Sequence, residues 1–333
     1  MLLCLLFDYG GQWSSRRIQT DKSSLVLSFK KEHFSPNCIF LTRRAAIASL
    51  RTMRRIFLLG ALLLALSGQA RAADRFFVTS DGVRLHYIEQ GQGRTLVLVP
   101  GWTMPAWIFS AQIQALSRFY RVVAFDPRSQ GDSDVPAGGY EPFRRGRDIA
   151  ELLAQVGDRA VLLGWSLGVL DVLSYIHQFG DSHIAGLVLV DNSVGEEPAP
   201  HARPAPPRRR TPRVASREAA MRAFVQSMFR VRQPAAYIES LTEATLHTPA
   251  YAARALLAYD VPRSYWKEAV YDTAKPVLYL VTPRLAGQAG NLAAHHPDAE
   301  SVVLQGVGHA MFVDDPGRFD GLVLDFLRRR VWR

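Results

Sequence analysis

The 333-residue chain carries 40 lysines and arginines against 30 aspartates and glutamates, a formal charge of +10, and 48% of its residues are hydrophobic. Residues 1–72 hold 11 of those cations and 3 of the anions, leaving 29 against 27 for the remainder. The basicity therefore belongs to the leader, which removes the reason to expect nucleic-acid binding; both cysteines, Cys4 and Cys38, lie there too, so the rest forms no disulfide and at this size needs none.

Within the leader, Met53-Arg54-Arg55, an apolar run over 56–66 and Ser67-Gly68-Gln69-Ala70-Arg71-Ala72 have the charged, apolar and small-residue parts of a secretory signal peptide. The run is short for a bilayer span. The expectation is cleavage after Ala72 and an exported protein, periplasmic or secreted, without stable membrane insertion; an uncleaved N-terminal anchor is the alternative. Residues 1–52 show no clear periodicity, and a signal peptide normally begins near the initiating methionine. Met53 is therefore the expected start, with 1–52 an over-extended reading frame and 53–72 the signal.

From there the pattern predicts a hairpin over 76–79 and 83–89 about Ser80-Asp81-Gly82, then a short buried strand over 95–99. Pro100-Gly101-Trp102-Thr103 follows directly, ahead of a helix over 106–117. That strand-turn-helix position is where acyl-transfer enzymes place one backbone donor of an oxyanion hole. The amide of Trp102 is the candidate, and an ordinary turn with a packing tryptophan is the alternative. A strand over 121–125 ends in Asp126-Pro127-Arg128-Ser129-Gln130-Gly131-Asp132-Ser133, where a charged pair stapling a tight loop is favoured over substrate binding.

A helix over 144–156 leads to Val161-Leu162-Leu163-Gly164-Trp165-Ser166-Leu167-Gly168, an apolar strand entering a GxSxG turn before a helix that ends at Gly180. Flanking glycines leave room for the tight backbone, so the serine hydroxyl stands clear of the sheet. Ser166 is the candidate nucleophile, against the plainer possibility of a helix cap. The amide of Leu167 is the second candidate oxyanion donor. A strand over 184–190 ends in Asp191-Asn192-Ser193. Short strands alternating with helices imply an α/β fold with a mostly parallel, doubly wound sheet, whose ligands sit at the carboxyl ends of the strands.

The alternation stops at 196–213, where six prolines and Arg208-Arg209-Arg210 read as an extended connection. Helices are expected over 216–230, 234–246 and 249–258, interspersed with Tyr237, Tyr251, Tyr265 and Trp266. The stretch 195–273 thus reads as a helical cap inserted into a core made of 73–194 and 274–333. Its aromatic residues either line an acyl pocket or pack cap to core. The sheet resumes over 275–281, followed by a helix over 287–295, a strand over 301–304, Gly308-His309 and a terminal helix over 316–330. His309 completes the order serine, acid, histidine as the candidate base. His295 and His296 are expected on a solvated helix end. No histidine-carboxylate spacing of a metal site is present, and no cofactor is implied.

Val99-Pro100-Gly101-Trp102, the 126–133 loop, Gly164-Trp165-Ser166-Leu167-Gly168 and Gly308-His309 together resemble the alpha/beta-hydrolase family over nearly all of 76–331. The two Gly-Trp motifs are similar to those of pimeloyl-acyl carrier protein methyl ester esterases, although two short motifs do not carry a substrate over. Serine at the elbow, where the family's dehalogenases and epoxide hydrolases have aspartate, argues against those activities.

One departure concerns the acid. Most members place it a few residues after the strand equivalent to 277–281, but Thr282-Pro283-Arg284-Leu285-Ala286-Gly287-Gln288 has no carboxylate. Some relatives place it one strand earlier, where Asp191 stands. Asp191 is therefore the candidate acid, with an ordinary strand-end aspartate as the alternative and Asp298 as a weaker candidate. The resemblance implies a serine hydrolase acting on a small-molecule ester or acyl substrate through an acyl-enzyme. A cofactor-free haloperoxidase or perhydrolase, a carbon-carbon bond hydrolase and a catalytically degenerate binding protein are the other readings.

Overall fold

A computed structural model describes residues 71–157, 159–199 and 216–333. The expected over-extended segment, nearly all of the expected signal and most of the Pro/Arg-rich connection lie outside the described residues. Among the described residues, no helix is long and apolar enough to cross a membrane.

Eight strands form one sheet: β1 (Ala73–Val78), β2 (Arg84–Gln90), β3 (Thr95–Val99), β4 (Arg121–Asp126), β5 (Ala160–Trp165), β6 (Ile184–Val190), β7 (Val277–Val281) and β8 (Ala299–Val303). Their order is β1-β2-β4-β3-β5-β6-β7-β8. The hairpin β1–β2 and its junction with β4 are antiparallel, and every other pairing is parallel. The central strands β3, β5 and β6 are almost wholly apolar because both faces of the sheet are covered. Leu96 and Leu98 of β3 join Val161 and Leu163 of β5 on one face, while Val97, Val99 and Leu162 point to the other.

The helices divide accordingly. The face of Val97 and Leu162 is covered by α2 (Pro142–Val156), α3 (Leu167–Phe179), α7 (Arg263–Asp272) and α8 (Ala286–His295). The opposite face is covered by α1 (Ser110–Leu116) and α10 (Pro316–Phe326), with the short α9 (Met311–Asp314) before the latter. Pro142 starts α2 ahead of the expected position, since its fixed φ and missing N–H suit the first turn. The helix expected over 106–117 opens as a 3₁₀ turn, Ala106–Phe109, before α1.

The segment expected as a cap contains α4 (Arg217–Ser227), α5 (Ala235–His247) and α6 (Ala250–Ala255). Its last helix, α7, buries Tyr265, Trp266, Ala269 and Val270 in the same core as α3, so it is part of the layer under the sheet. The buried Tyr265 packs there with its hydroxyl 2.9 Å from Ser174 Oγ on α3. His296 also departs from expectation: it is buried, with Nε2 3.2 Å from the Thr273 carbonyl and Nδ1 accepting from the Asp298 amide. Its neighbour His295 is exposed.

Candidate active site

Parallel order reverses about β3, which has β4 on one side and β5 on the other. At such a point the turns leaving adjacent strands diverge and open a crevice at their carboxyl ends. Trp102 follows β3 and Ser166 follows β5, so both stand at the carboxyl ends of the strands at that point.

Ser166 has φ 54° and ψ −120°, a conformation that L-residues avoid. The neighbouring glycines make it possible. A methyl group on Gly168 would strike the Val99 and Pro100 carbonyls, and one on Gly164 would lie 2.5 Å from the Gly168 oxygen. The elbow also abuts the turn after β3: a Cβ on Gly101 would be 2.9 Å from that of Ser166. The turn and loop hydrogen bonds among the described residues engage neither the Trp102 amide nor the Leu167 amide.

The remaining candidates come from the ends of β6 and β8. His309 lies in the loop after β8, with Nε2 2.8 Å from Ser166 Oγ and Nδ1 2.7 Å from Asp191 Oδ2. Asp191 is 2% exposed, while the His309 side chain is 28% exposed. The acid is thus sheltered while the histidine edge reaches the crevice. Burial works to raise the Asp191 carboxyl, but hydrogen bonds from His309 and Thr282 outweigh it and hold the group below the usual carboxylate value. Asp298 lies elsewhere, 3.0 Å from Arg330.

Three supporting residues escaped sequence reasoning. Thr282 directly follows β7, and both its amide and its hydroxyl donate to Asp191 Oδ1 at 2.8 Å. The buried Trp165 indole donates to the His309 carbonyl at 2.9 Å, which fixes the histidine loop against the elbow strand. Gln130, 1% exposed, contacts the 101–104 turn through its side-chain amide. The GxSxG stretch and the 126–133 loop contain Trp165 and Gln130, but neither motif says where those side chains point.

Asp126 and Arg128 do staple their loop, each to other partners rather than to one another. Asp126 accepts from the Ala106 and Asp132 amides and lies 2.7 Å from His86 Nδ1. Arg128 is fully buried in a bidentate pair with Asp148, at 2.7 Å through each nitrogen. Burial works against its charge, yet Asp148 and Asp81 more than compensate and keep the guanidinium protonated.

His86, Asp126 and Asp132 form a group whose possible metal-ligand atoms lie within 4.8 Å of one another. Sequence spacing did not reveal it, because His86 and Asp126 are 40 positions apart. Asp126 Oδ1 accepts from the Ala106 amide, and Oδ2 accepts from the Asp132 amide and faces His86 Nδ1, so Asp126 staples β2, the 3₁₀ turn and its own loop together.

Of the aromatic residues singled out in the cap, Tyr251 is exposed and donates to the Pro136 carbonyl, while Tyr237 packs edge-on to Trp107. Phe224 of α4 packs edge-on to Trp102, with centroids 5.0 Å apart. The Trp102 indole also donates to the Ala253 carbonyl of α6 at 2.7 Å. The Trp102 side chain thus ties α6 and α4 to the turn after β3.

Comparison with known proteins gives sequence likenesses over about a third of the chain and a structural likeness over 77% of it. A non-heme haloperoxidase from Rhodococcus erythropolis is 32% identical over 117 residues, covering 34% of this chain and 43% of the relative. A pimeloyl-[acyl-carrier protein] methyl ester esterase from Vibrio campbellii is 30% identical over 113 residues, 33% of this chain and 41% of the relative. The chain thus spans less than half the length of these curated relatives. The crystal structure of an esterase from Rhodococcus superposes with a TM-score of 0.64 at 28% identity, covering 77% of this chain and 99% of that one. Residues 96–321 match the profile of the Alpha/beta hydrolase family, a span that runs from β3 through the elbow and His309 into α10. With that match, and with the eight-stranded, mostly parallel sheet, the chain belongs to the alpha/beta hydrolase family.

Proposed function

We propose that the protein is a carboxylic ester hydrolase working through an acyl-enzyme on Ser166. The reading rests on one observation above the others: a single imidazole, His309, reaches Ser166 Oγ at 2.8 Å and Asp191 Oδ2 at 2.7 Å. In the resting enzyme Asp191 holds the His309 proton on Nδ1, leaving Nε2 free to accept. As Ser166 Oγ bonds to the ester carbonyl carbon, its proton passes to Nε2. The carbonyl oxygen becomes an oxyanion facing the amides of Trp102 and Leu167, whose dipoles are in place before charge develops. Collapse breaks the bond to the alcohol, which leaves with the proton from Nε2. Water then gives a proton to Nε2 and its oxygen to the acyl carbon, and the second collapse returns Ser166 and releases the acid.

Serine at the elbow disfavours epoxide opening and dehalogenation, which use a carboxylate nucleophile. The haloperoxidase relative supports a second reading of the same site, in which hydrogen peroxide replaces water and the acyl-enzyme yields a peracid. Expected export through residues 53–72 would place either activity outside the cytoplasm, and an intact mass beginning at Ala73 checks it.

The test is fluorophosphonate labelling of the 73–333 protein beside its Ser166→Ala variant, followed by a panel of nitrophenyl esters. Labelling of the native chain, lost in the variant and accompanied by ester turnover, is the expected result. A folded native chain that neither labels nor turns over any ester overturns the reading. Bromination dependent on acetate and peroxide would support the peracid route.

A further inference from the structure

We infer that Gln130 is a positioning residue for the oxyanion turn, holding the Trp102 amide against Ser166. The inference rests on the proposed role of that amide in the acyl-transfer reaction and adds a residue that the serine, histidine and aspartate do not include.

The turn after β3 has little to hold itself in place. Met104 N donates to the Gly101 carbonyl at 3.2 Å, and Thr103 adopts φ 60°, a left-handed conformation that a β-branched residue disfavours. The Thr103 hydroxyl is buried without a hydrogen-bond partner among the described residues. Such a conformation persists only where the surroundings impose it.

Gln130 supplies that constraint. Its Nε2 donates to the Gly101 carbonyl at 3.1 Å and to the Met104 carbonyl at 3.0 Å, and its Oε1 accepts from the Thr103 amide at 2.8 Å. Both N–H groups and the oxygen of one buried amide are therefore spent on residues 101, 103 and 104. Trp102, which lies between them, keeps its amide out of this set. Fixing the peptide units on either side of Trp102 sets the direction of its N–H. Because Gly101 touches Ser166, the same contacts set its distance from the nucleophile.

The post that carries Gln130 is itself braced. Ser129, at φ 66°, donates its amide to the Asp134 carbonyl at 3.0 Å, and its hydroxyl lies 2.6 Å from that of Tyr140. The Ser129 carbonyl accepts from the hydroxyl of Thr248, at the end of α5, at 2.6 Å. Loop 126–133 thereby links a cap helix to the oxyanion turn. A side chain that merely filled a polar gap would influence folding; one that aims an oxyanion donor influences the transition state in particular.

The experiment compares the native chain with Gln130→Glu and Gln130→Met, measuring kcat and KM on a nitrophenyl acetate and the rate of fluorophosphonate labelling. Glu keeps the acceptor for Thr103 but replaces Nε2 with an oxygen facing the Gly101 and Met104 carbonyls. Ionised, it repels both; protonated, it donates to one. Removing an oxyanion donor outright costs about 10²–10³ in kcat, so misaiming one should cost about tenfold or more. Both variants are expected to lose kcat by at least about that factor, with KM changed less than about threefold. The ratio of Gln130→Glu to native kcat should also rise toward acid pH, as protonation restores a donor. Equal kcat in folded variants, a rise in KM alone, or a Gln130→Glu defect that is the same at every pH would overturn the inference. Should Gln130→Met fail to fold, the pH dependence of Gln130→Glu still decides it. Native chain that labels at Ser166 while the variants label equally fast refutes the role of Gln130 alone. Native chain that never labels refutes the hydrolase reading beneath it.

Discussion

Replacing Asp191 with asparagine changes one atom, and the structure dictates which way the new amide faces. Asp191 Oδ1 accepts from both the amide and the hydroxyl of Thr282, and Oδ2 accepts from His309 Nδ1. The Thr282 amide can only donate, so the carbonyl oxygen of the introduced side chain must take the Oδ1 position. The inverted amide would set an N–H against that donor in a buried place, at a cost of about 1–3 kcal/mol. In the favoured orientation the side-chain NH₂ points at His309 Nδ1, which must then accept. The imidazole proton moves to Nε2 and faces Ser166, so the histidine cannot take the serine's proton. In the best-studied triad this exchange costs about 10⁴ in kcat, equivalent to about 5.5 kcal/mol of transition-state stabilisation. Steady-state turnover of a nitrophenyl acetate and the fluorophosphonate labelling rate should both fall by about that factor, with KM little changed. A thermal melt near that of the native chain would show that the fold survived. A folded Asp191→Asn protein retaining turnover within about tenfold of native would refute the assignment of the acid and the argument from tautomers.

The same network predicts a smaller effect for Thr282→Val, which removes the hydroxyl donor to Asp191 but keeps the amide. Losing one hydrogen bond to a buried carboxylate should cost about 1.5–3 kcal/mol in urea unfolding. Because the native environment lowers the Asp191 pKa, its ionised form stabilises the fold above the unfolded-state value, and that contribution is lost as pH falls through the lower folded value. Thr282→Val raises the folded value, so acid unfolding should begin at higher pH; an unshifted acid midpoint would count against it. Asp320 has the opposite sign. Burial raises it from the ordinary 3.8 to about 6, only partly offset by the Gln112 Nε2 donor at 3.0 Å. Its contribution is present below the unfolded value and lost as pH rises through about 6, so Asp320→Asn should raise the melting temperature at about pH 8 and leave it nearly unchanged at about pH 4. Equal shifts at both pH values would show that ionisation of Asp320 is not what limits stability.

What could be read in the sequence was what the chain keeps close together. The elbow is legible because its steric requirement falls on residues two positions apart: Gly164 and Gly168 must be small for Ser166 to adopt its strained φ. The alternation of apolar strands and helices is equally local, and it yields the parallel sheet without any knowledge of contacts. Even so, the helix over 263–272 is not among the expected ones: it falls inside the stretch 195–273 read as a cap, and nothing local in the sequence shows that its buried side chains face the same core as α3. Asp191 is legible only through the absence of a carboxylate after β7. The positive reason for its position, the pair of donors on Thr282, joins residues 91 apart in sequence. Trp165 and His309 are 144 apart, and Gln130 reaches Thr103 across 27 positions. A buried glutamine in a loop looks like any polar loop residue until the opposing carbonyls and amide are in place. The candidate nucleophile is therefore announced by a motif, because steric demands at the elbow restrict which neighbours it tolerates. The groups that aim the candidate residues are hidden, because a donor or acceptor can arrive from any strand end that the sheet brings to the same crevice.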